Sequence, residues 1–237
     1  MVQSPTAAHT RYRNKSNIIV PGVTTVIALL AKPALVGWAW RLGMQGEDMN
    51  KVRDLAANIG TCAHYLAECF LTGDEPETQH FTAYTLEEGQ KLFAAFREWH
   101  GRQDVETLAV EAKVVSERWQ FGGMIDWVAR LYGVVTLLDI KTSKAIYDEY
   151  RIQLAAYKAA WDELHPDMPI EKVTVLHLDK ETYDLTPHPF SDLENEWEIF
   201  KHLRAIYVLQ KRADPKRNKA QSKGYRTTGT LAAKARA

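Results

Sequence analysis

Gly122-Gly123-Met124-Ile125-Asp126-Trp127-Val128-Ala129-Arg130-Leu131-Tyr132-Gly133-Val134-Val135-Thr136-Leu137-Leu138-Asp139-Ile140-Lys141 is the stretch on which the fold turns. Two apolar, β-leaning runs flank Tyr132-Gly133, and a two-residue spacer containing Gly reads as a tight antiparallel hairpin. With Tyr132 and Gly133 as the loop, opposed residues carry numbers adding to 265, and Asp126 and Asp139 meet that condition. The two aspartates are therefore expected to face each other across the ladder, with Cβ atoms roughly 4.5–5.5 Å apart. Strand side chains alternate with period two, so Lys141 points to the same side as Asp139.

Like charges held that close destabilise a sheet unless something compensates them. A hard cation does so, since Mg²⁺ takes one or two carboxylates together with water and phosphate oxygens. A neighbouring ammonium would then hold or activate the attacking water, a layout for metal-assisted hydrolysis of a phosphodiester. The plainer reading is that Asp126 and Asp139 are unrelated strand-end charges and Lys141 an edge-strand gatekeeper. The triplet alone leaves both readings open.

Gly123-Met124-Ile125-Asp126, then Asp139-Ile140-Lys141-Thr142, then Gln153-Leu154-Ala155-Ala156-Tyr157, resembles the motif series of the PD-(D/E)xK nucleases. The branch is similar to the RecB-type exonucleases, among them phage exonucleases and the mitochondrial genome maintenance exonuclease. Gly60-Thr61-Cys62-Ala63-His64, with Glu68 one turn on, resembles the branch's helical motif. Pro21-Gly22-Val23-Thr24-Thr25-Val26, Lys32-Pro33-Ala34-Leu35 and Trp38 resemble its opening segment. The resemblance implies that Asp126, Asp139, the Ile140 carbonyl, Glu111 and His64 hold Mg²⁺ or Mn²⁺ and that Lys141 is the catalytic lysine. It implies that Gln153, Tyr157 and Thr142 support the site or meet DNA. DNA is the implied partner, with a single-strand annealing or replication and recombination protein beside it, in phage or bacterial DNA recombination, repair or degradation. Some relatives carry four cysteines for an iron–sulfur cluster; this chain has Cys62 and Cys69 alone, so no cluster is expected. Two rival readings are a nuclease-fold DNA-binding protein without activity and a PD-(D/E)xK endonuclease.

The chain of 237 residues with 46% hydrophobic content is long enough to bury one sizeable core. Its formal net charge is zero, but nine of the 30 basic residues and one of the 30 acidic ones lie from Lys211 onward, leaving 21 against 29 before it. An acidic body with a basic tail is expected, the tail adding salt-sensitive affinity for nucleic acid. Two cysteines seven apart give neither a disulfide framework nor a zinc pattern. No apolar run approaches the roughly 20 residues that span a bilayer, so no membrane partner is expected. The acid-poor start, with Arg11, Arg13 and Lys15, has the composition of a mitochondrial transit peptide, but Pro5 and the lack of apolar residues oppose an amphipathic helix. The expectation is a cytoplasmic protein, in the host's cytoplasm if phage-encoded.

Along the chain, residues 1–17 are expected to be a flexible start, 18–210 a single nuclease domain and 211–237 a disordered basic tail. Helices are expected over Val23–Leu30 and Pro33–Leu42; Trp38 and Trp40 on the second read as core aromatics, while the resemblance implies that this region shapes the DNA channel and makes them candidates for base stacking. Another should run from Asp48 to Leu71, with Leu55, Ile59, Ala63, Leu66 and Phe70 on one face and Gly73 ending it. Thr85 with Glu88, and Ser191 with Glu194, read as capping boxes opening helices to about His100 and Gln210. Leu108–Glu117 reads as a strand carrying Glu111. Beyond the hairpin come a helix over about Tyr147–Leu164, a strand over Lys172–Asp179 and a partner over Glu181–His188. The order gives an α+β fold with a central mixed sheet flanked by helices and with N-terminal helices added, and the resemblance implies that it is the restriction-endonuclease-like αβββαβ core.

Overall fold

The computed structural model describes residues 11–213; the expectations for residues 1–10 and 214–237 lie outside them. The sheet grows from the hairpin outward. Strands β4 (Phe121–Leu131) and β5 (Val134–Lys141) pair antiparallel in the expected register, Leu131 opposite Val134 and Trp127 opposite Leu138. Tyr132 (φ 50°) and Gly133 (φ 79°) are both left-handed, the turn whose twist matches that of the strands. The long strand β3 (Val105–Ser116) adds antiparallel to β4, and β6 (Lys172–Leu178) adds parallel to β5 through a helical crossover. Strand β7 (Leu185–Phe190) closes the order β3-β4-β5-β6-β7. Pro187 and Pro189, which cannot donate to a ladder, sit on this edge strand as expected of proline.

Central strands buried on both faces build two cores. On one side Val128, Leu137, Val173 and Val175 pack against α1 (Val23–Ile27), α5 (Asp148–Leu164) and α6 (Glu194–Ala213). On the other, Trp127, Leu138, Ile140 and Leu176 pack against α3 (Met49–Thr72) and α4 (Ala83–His100). Trp127 is fully buried within an aromatic group of Phe96, Trp99 and His100, and its indole N–H donates to Thr107 Oγ1 at 3.2 Å. This satisfies the one polar atom that burying a tryptophan would otherwise strand.

Several local expectations differ from what is found. The start of the described chain is anchored: β1 (Tyr12–Arg13) pairs with β2 (Ile19–Val20), and the Tyr12 ring lies on Gly122, so residues 11–17 are no loose segment. Helix α1 stops at Ile27, and α2 (Pro33–Met44) runs two residues past Leu42. On α3, Leu55 and Phe70 are exposed rather than part of the buried stripe, although Asp48 caps the helix and left-handed Gly73 ends it. The cap of α4 is Thr82, whose hydroxyl accepts from Thr85 N–H; Thr85 lies buried inside the helix and Glu88 binds Lys91 and Tyr183 instead. At α6 the Asp192 carboxylate, not Ser191, accepts from Glu194 N–H at 2.9 Å. The last strand begins at Leu185 because Asp179–Asp184 form a turn held by the Asp179 carboxylate. Among the described residues no helix is long and apolar enough to cross a membrane.

Candidate active site

The hairpin ladder ends at Trp127–Leu138, and beyond it the Ile140 N–H turns to a side chain, donating to Asp126 Oδ2 at 2.9 Å. On the other flank of β4, Val110 opposes Trp127 and Ala112 opposes Ile125, which sets Glu111 against Asp126. Glu111, Asp126 and Asp139, one from each of three neighbouring strands, thus form a row of carboxyls close enough for Asp126 to raise the other two, although the β4–β5 ladder stops one pair short of Asp126 and Asp139. The row is held under strain, for Glu111 has φ 47°, a left-handed conformation unusual for a non-glycine residue inside a strand. Lys141 Nζ lies 2.6 Å from Asp139 Oδ2, a buried ion pair. His64 reaches in from α3, its Nδ1 3.6 Å from Asp126 Oδ2.

Burial governs the charges. Asp139 is fully buried, and desolvation pushes its carboxyl up to about 6 against the pull of Lys141. Glu111 is pushed up to about 8, first by desolvation and then by Asp126, Glu68 and Asp139. Desolvation also raises Asp126, and it lowers His64 to about 4 with Lys141 adding to the effect. Desolvation works against the charged form of Lys141 as well, but Asp139 and Asp126 outweigh it and the ammonium is favoured. Three carboxyls thus crowd one lysine, and each is raised because burial penalises its charged form, with acidic neighbours adding to this at Glu111 and Asp139.

Close backbone approaches fix the geometry. A Cβ on Gly60 would lie 2.5 Å from Thr142 Oγ1, so only glycine lets α3 settle on the end of β5 and bring His64 to Asp126. A Cβ on Gly123 would lie 2.4 Å from Tyr157 Cε1. Tyr157 is held over that glycine, its hydroxyl accepting from Gln153 Nε2 at 2.8 Å. Gln153 and Tyr157 thus lie against β4 at Gly123, and Thr142, which is buried, meets α3 at Gly60. Trp38 and Trp40 lie on α2 away from these contacts, Trp40 exposed.

The donor set suits a hard divalent cation: carboxylate oxygens, a backbone carbonyl and one imidazole. Asp139 Oδ1 has no hydrogen-bond partner although fully buried, an arrangement that costs about 1–3 kcal/mol unless an ion or water satisfies it. Among the described residues no three acidic, histidine or cysteine side chains form a ready-made cage. One oxygen of Asp126 is engaged by Ile140 N–H and one of Asp139 by Lys141, so loading an ion requires these oxygens to be shared.

Two residues near the row have no role assigned from the sequence, Glu68 standing there only as part of the His64 motif. Glu68, one turn after His64, is raised by desolvation, Asp74 and Asp126; the spacing of four from His64 was its signal. Tyr150 lies with its ring 5.2 Å from Lys141 Nζ, and its signal was the three-residue step to Gln153 on one helix face.

The fold is α+β, with a five-stranded mixed sheet flanked by helices. No family model and no curated protein matches the chain. Among solved structures it is similar to an exonuclease-like protein from Eubacterium rectale at 12% identity and TM-score 0.46, covering 64% of this chain and 65% of that one, just under two thirds of its length. It is also similar to the alkaline exonuclease LHK-Exo from Laribacter hongkongensis, at 13% identity and TM-score 0.43 over 72% of this chain and 91% of that one. LHK-Exo in complex with dAMP gives 12% identity and TM-score 0.45 over 72% and 92%.

Proposed function

We propose that this chain is a Mg²⁺- or Mn²⁺-dependent deoxyribonuclease acting as an exonuclease on DNA. The observation that carries the reading is the row Glu111–Asp126–Asp139 with Lys141 Nζ 2.6 Å from its most buried member. Asp126, Asp139, the Ile140 carbonyl, Glu111 and His64 would hold the ion. Bound there, the ion would supply Lewis-acid polarisation of the phosphoryl group and offset the charge that develops on it. Lys141 orients the attacking water and adds a second positive charge beside the phosphoryl oxygens, in a site walled from solvent on the Asp139 side. Gln153, Tyr157 and Thr142 keep the strands and α3 in place while this happens. The basic residues after Lys211 add sequence-independent, salt-sensitive attraction to the DNA backbone. A single-strand annealing or recombination protein is the kind of partner that would use the processed strand, in recombination, repair or degradation of phage or bacterial DNA in the cytoplasm.

The test is digestion of single- and double-stranded oligonucleotides labelled at each end in turn, with Mg²⁺ or Mn²⁺ and with EDTA. Metal-dependent release of mononucleotides from an end, with closed circular DNA untouched, is expected. Linearised circles would make the chain an endonuclease, and binding without any cleavage would make it a DNA-binding protein on a nuclease fold.

A further inference from the structure

Lys141 has a second neighbour besides Asp139. Its Nζ stands 5.2 Å from the centre of the Tyr150 ring, within the range at which a cation is attracted by an aromatic face. Tyr150 is itself braced. It sits in the first turn of α5, its N–H bonded to Tyr147 O at 3.0 Å and its ring edge-on to Tyr147 at 5.7 Å. The segment joining Lys141 to α5 is also pinned: His177 Nε2 donates to Ser143 O at 2.7 Å, and Ser143 Oγ to Ala145 O at 2.7 Å. Tyr150, Gln153 and Tyr157 follow at helical spacing on one face of α5. Tyr157 covers Gly123, Gln153 donates to Tyr157, and Tyr150 meets the lysine. Tyr150 also helps line a cleft of about 510 Å³ with Thr24, Ile27, Lys32, Glu149 and Gln153, and Lys141 is not part of that lining.

We infer that Tyr150 is the positioning residue for Lys141, its ring holding the ammonium at Asp139 and away from the open cleft. A lysine has a long stem with several rotatable bonds, and Asp139 alone gives it a charge to approach but no direction. The ring supplies the second restraint. The hydroxyl has no part in this role, which separates it from a hydrogen-bonding function. The inference rests on the nuclease reading for its catalytic consequence, but the contact itself is measurable without activity.

The experiment compares wild type, Tyr150→Phe and Tyr150→Leu, all checked for an unchanged fold by thermal melting. The ε-methylene protons of Lys141 are observed in ¹³C-lysine-labelled protein, assigned by their loss in Lys141→Ala. An upfield ring-current shift is expected in wild type and Tyr150→Phe and its disappearance in Tyr150→Leu. In Mg²⁺-dependent digestion of an end-labelled oligonucleotide, Tyr150→Leu should lower kcat about tenfold with KM within twofold, and Tyr150→Phe should restore kcat. An unshifted Lys141 in wild type overturns the inference, as does a loss confined to KM, which would make Tyr150 a surface for the DNA instead. Equal loss in Phe and Leu overturns it too, since the hydroxyl would then be what matters. A shifted Lys141 in a wild-type protein that hydrolyses no DNA overturns the nuclease reading and with it the catalytic role, while the contact stands.

Discussion

Gly123→Ala puts the packing of the Gly-Met-Ile-Asp motif to a quantitative test. The backbone at Gly123 does not have a positive φ, so alanine suits the chain and the whole penalty comes from what its methyl would meet. That is the Tyr157 ring, with Cε1 at 2.4 Å, Cδ1 at 2.9 Å and Cζ at 3.4 Å. Carbon atoms rest about 3.5–4.0 Å apart, so the ring must retreat by roughly 1 Å. It has little freedom to do so, being 4% exposed and held at its hydroxyl by Gln153. Overpacking of this kind costs about 1–3 kcal/mol. Replacing glycine recovers about 0.4–1 kcal/mol by restricting the unfolded chain. The net expectation is a loss of about 1–2 kcal/mol, read as a lower urea midpoint at unchanged slope. Tyr157→Leu removes the atoms in the way, so in a double-mutant cycle the two substitutions should couple favourably by about 1 kcal/mol or more. A Gly123→Ala midpoint equal to wild type, or strict additivity with Tyr157→Leu, would refute the reasoning.

Gly60→Ala gains about 1 kcal/mol of helix propensity but forces α3 off Thr142, so stability should fall by about 1 kcal/mol and cleavage by more, as His64 leaves Asp126. Adding Thr142→Ala should return stability in chemical denaturation, and no change in the single variant would contradict the close approach. Lys141→Ala should abolish DNA cleavage while circular dichroism shows the fold retained; substantial cleavage by the purified variant contradicts the role given to the lysine. Cys62 and Cys69 are both buried, and burial pushes the Cys62 thiol up to about 11, so neither should react with an aromatic disulfide reagent until the chain unfolds. A rapid native-state reaction at Cys62, which packs on Gly89, would mean that the contact between α3 and α4 opens readily.

How much of this was legible in the sequence depends on how local each determinant is. The hairpin register followed from a two-residue turn and period-two alternation, both readable within twenty residues. The ladder itself stops at Trp127–Leu138, one pair short of Asp126 and Asp139, because the Ile140 N–H goes to the Asp126 carboxylate, a side-chain competition that strand alternation does not reveal. Glu111 was legible as a strand carboxylate, but its left-handed φ was not, because no glycine or asparagine marks the position. The capping boxes went astray where stronger partners competed. Thr82 precedes Thr85 and takes the cap, and Glu88 is drawn to Lys91 and to Tyr183, 95 residues away. The anchoring of Tyr12 was hidden for the same reason, since Gly122, whose missing side chain admits its ring, lies 110 positions on in sequence. On α3 the apolar periodicity was real, but it did not say where the helix outruns its neighbours, and Leu55 and Phe70 stay exposed.

The central claim is that Asp126 and Asp139 bind one divalent ion beside Lys141, and calorimetric titration of Mn²⁺ into wild type and Asp139→Asn tests it most directly. Asparagine keeps the size of the side chain and removes the charge of the carboxylate that has an unpaired oxygen. A saturable site in wild type, weakened at least about tenfold in a folded Asp139→Asn, is the predicted result. Equal Mn²⁺ affinity in the two proteins would contradict the account.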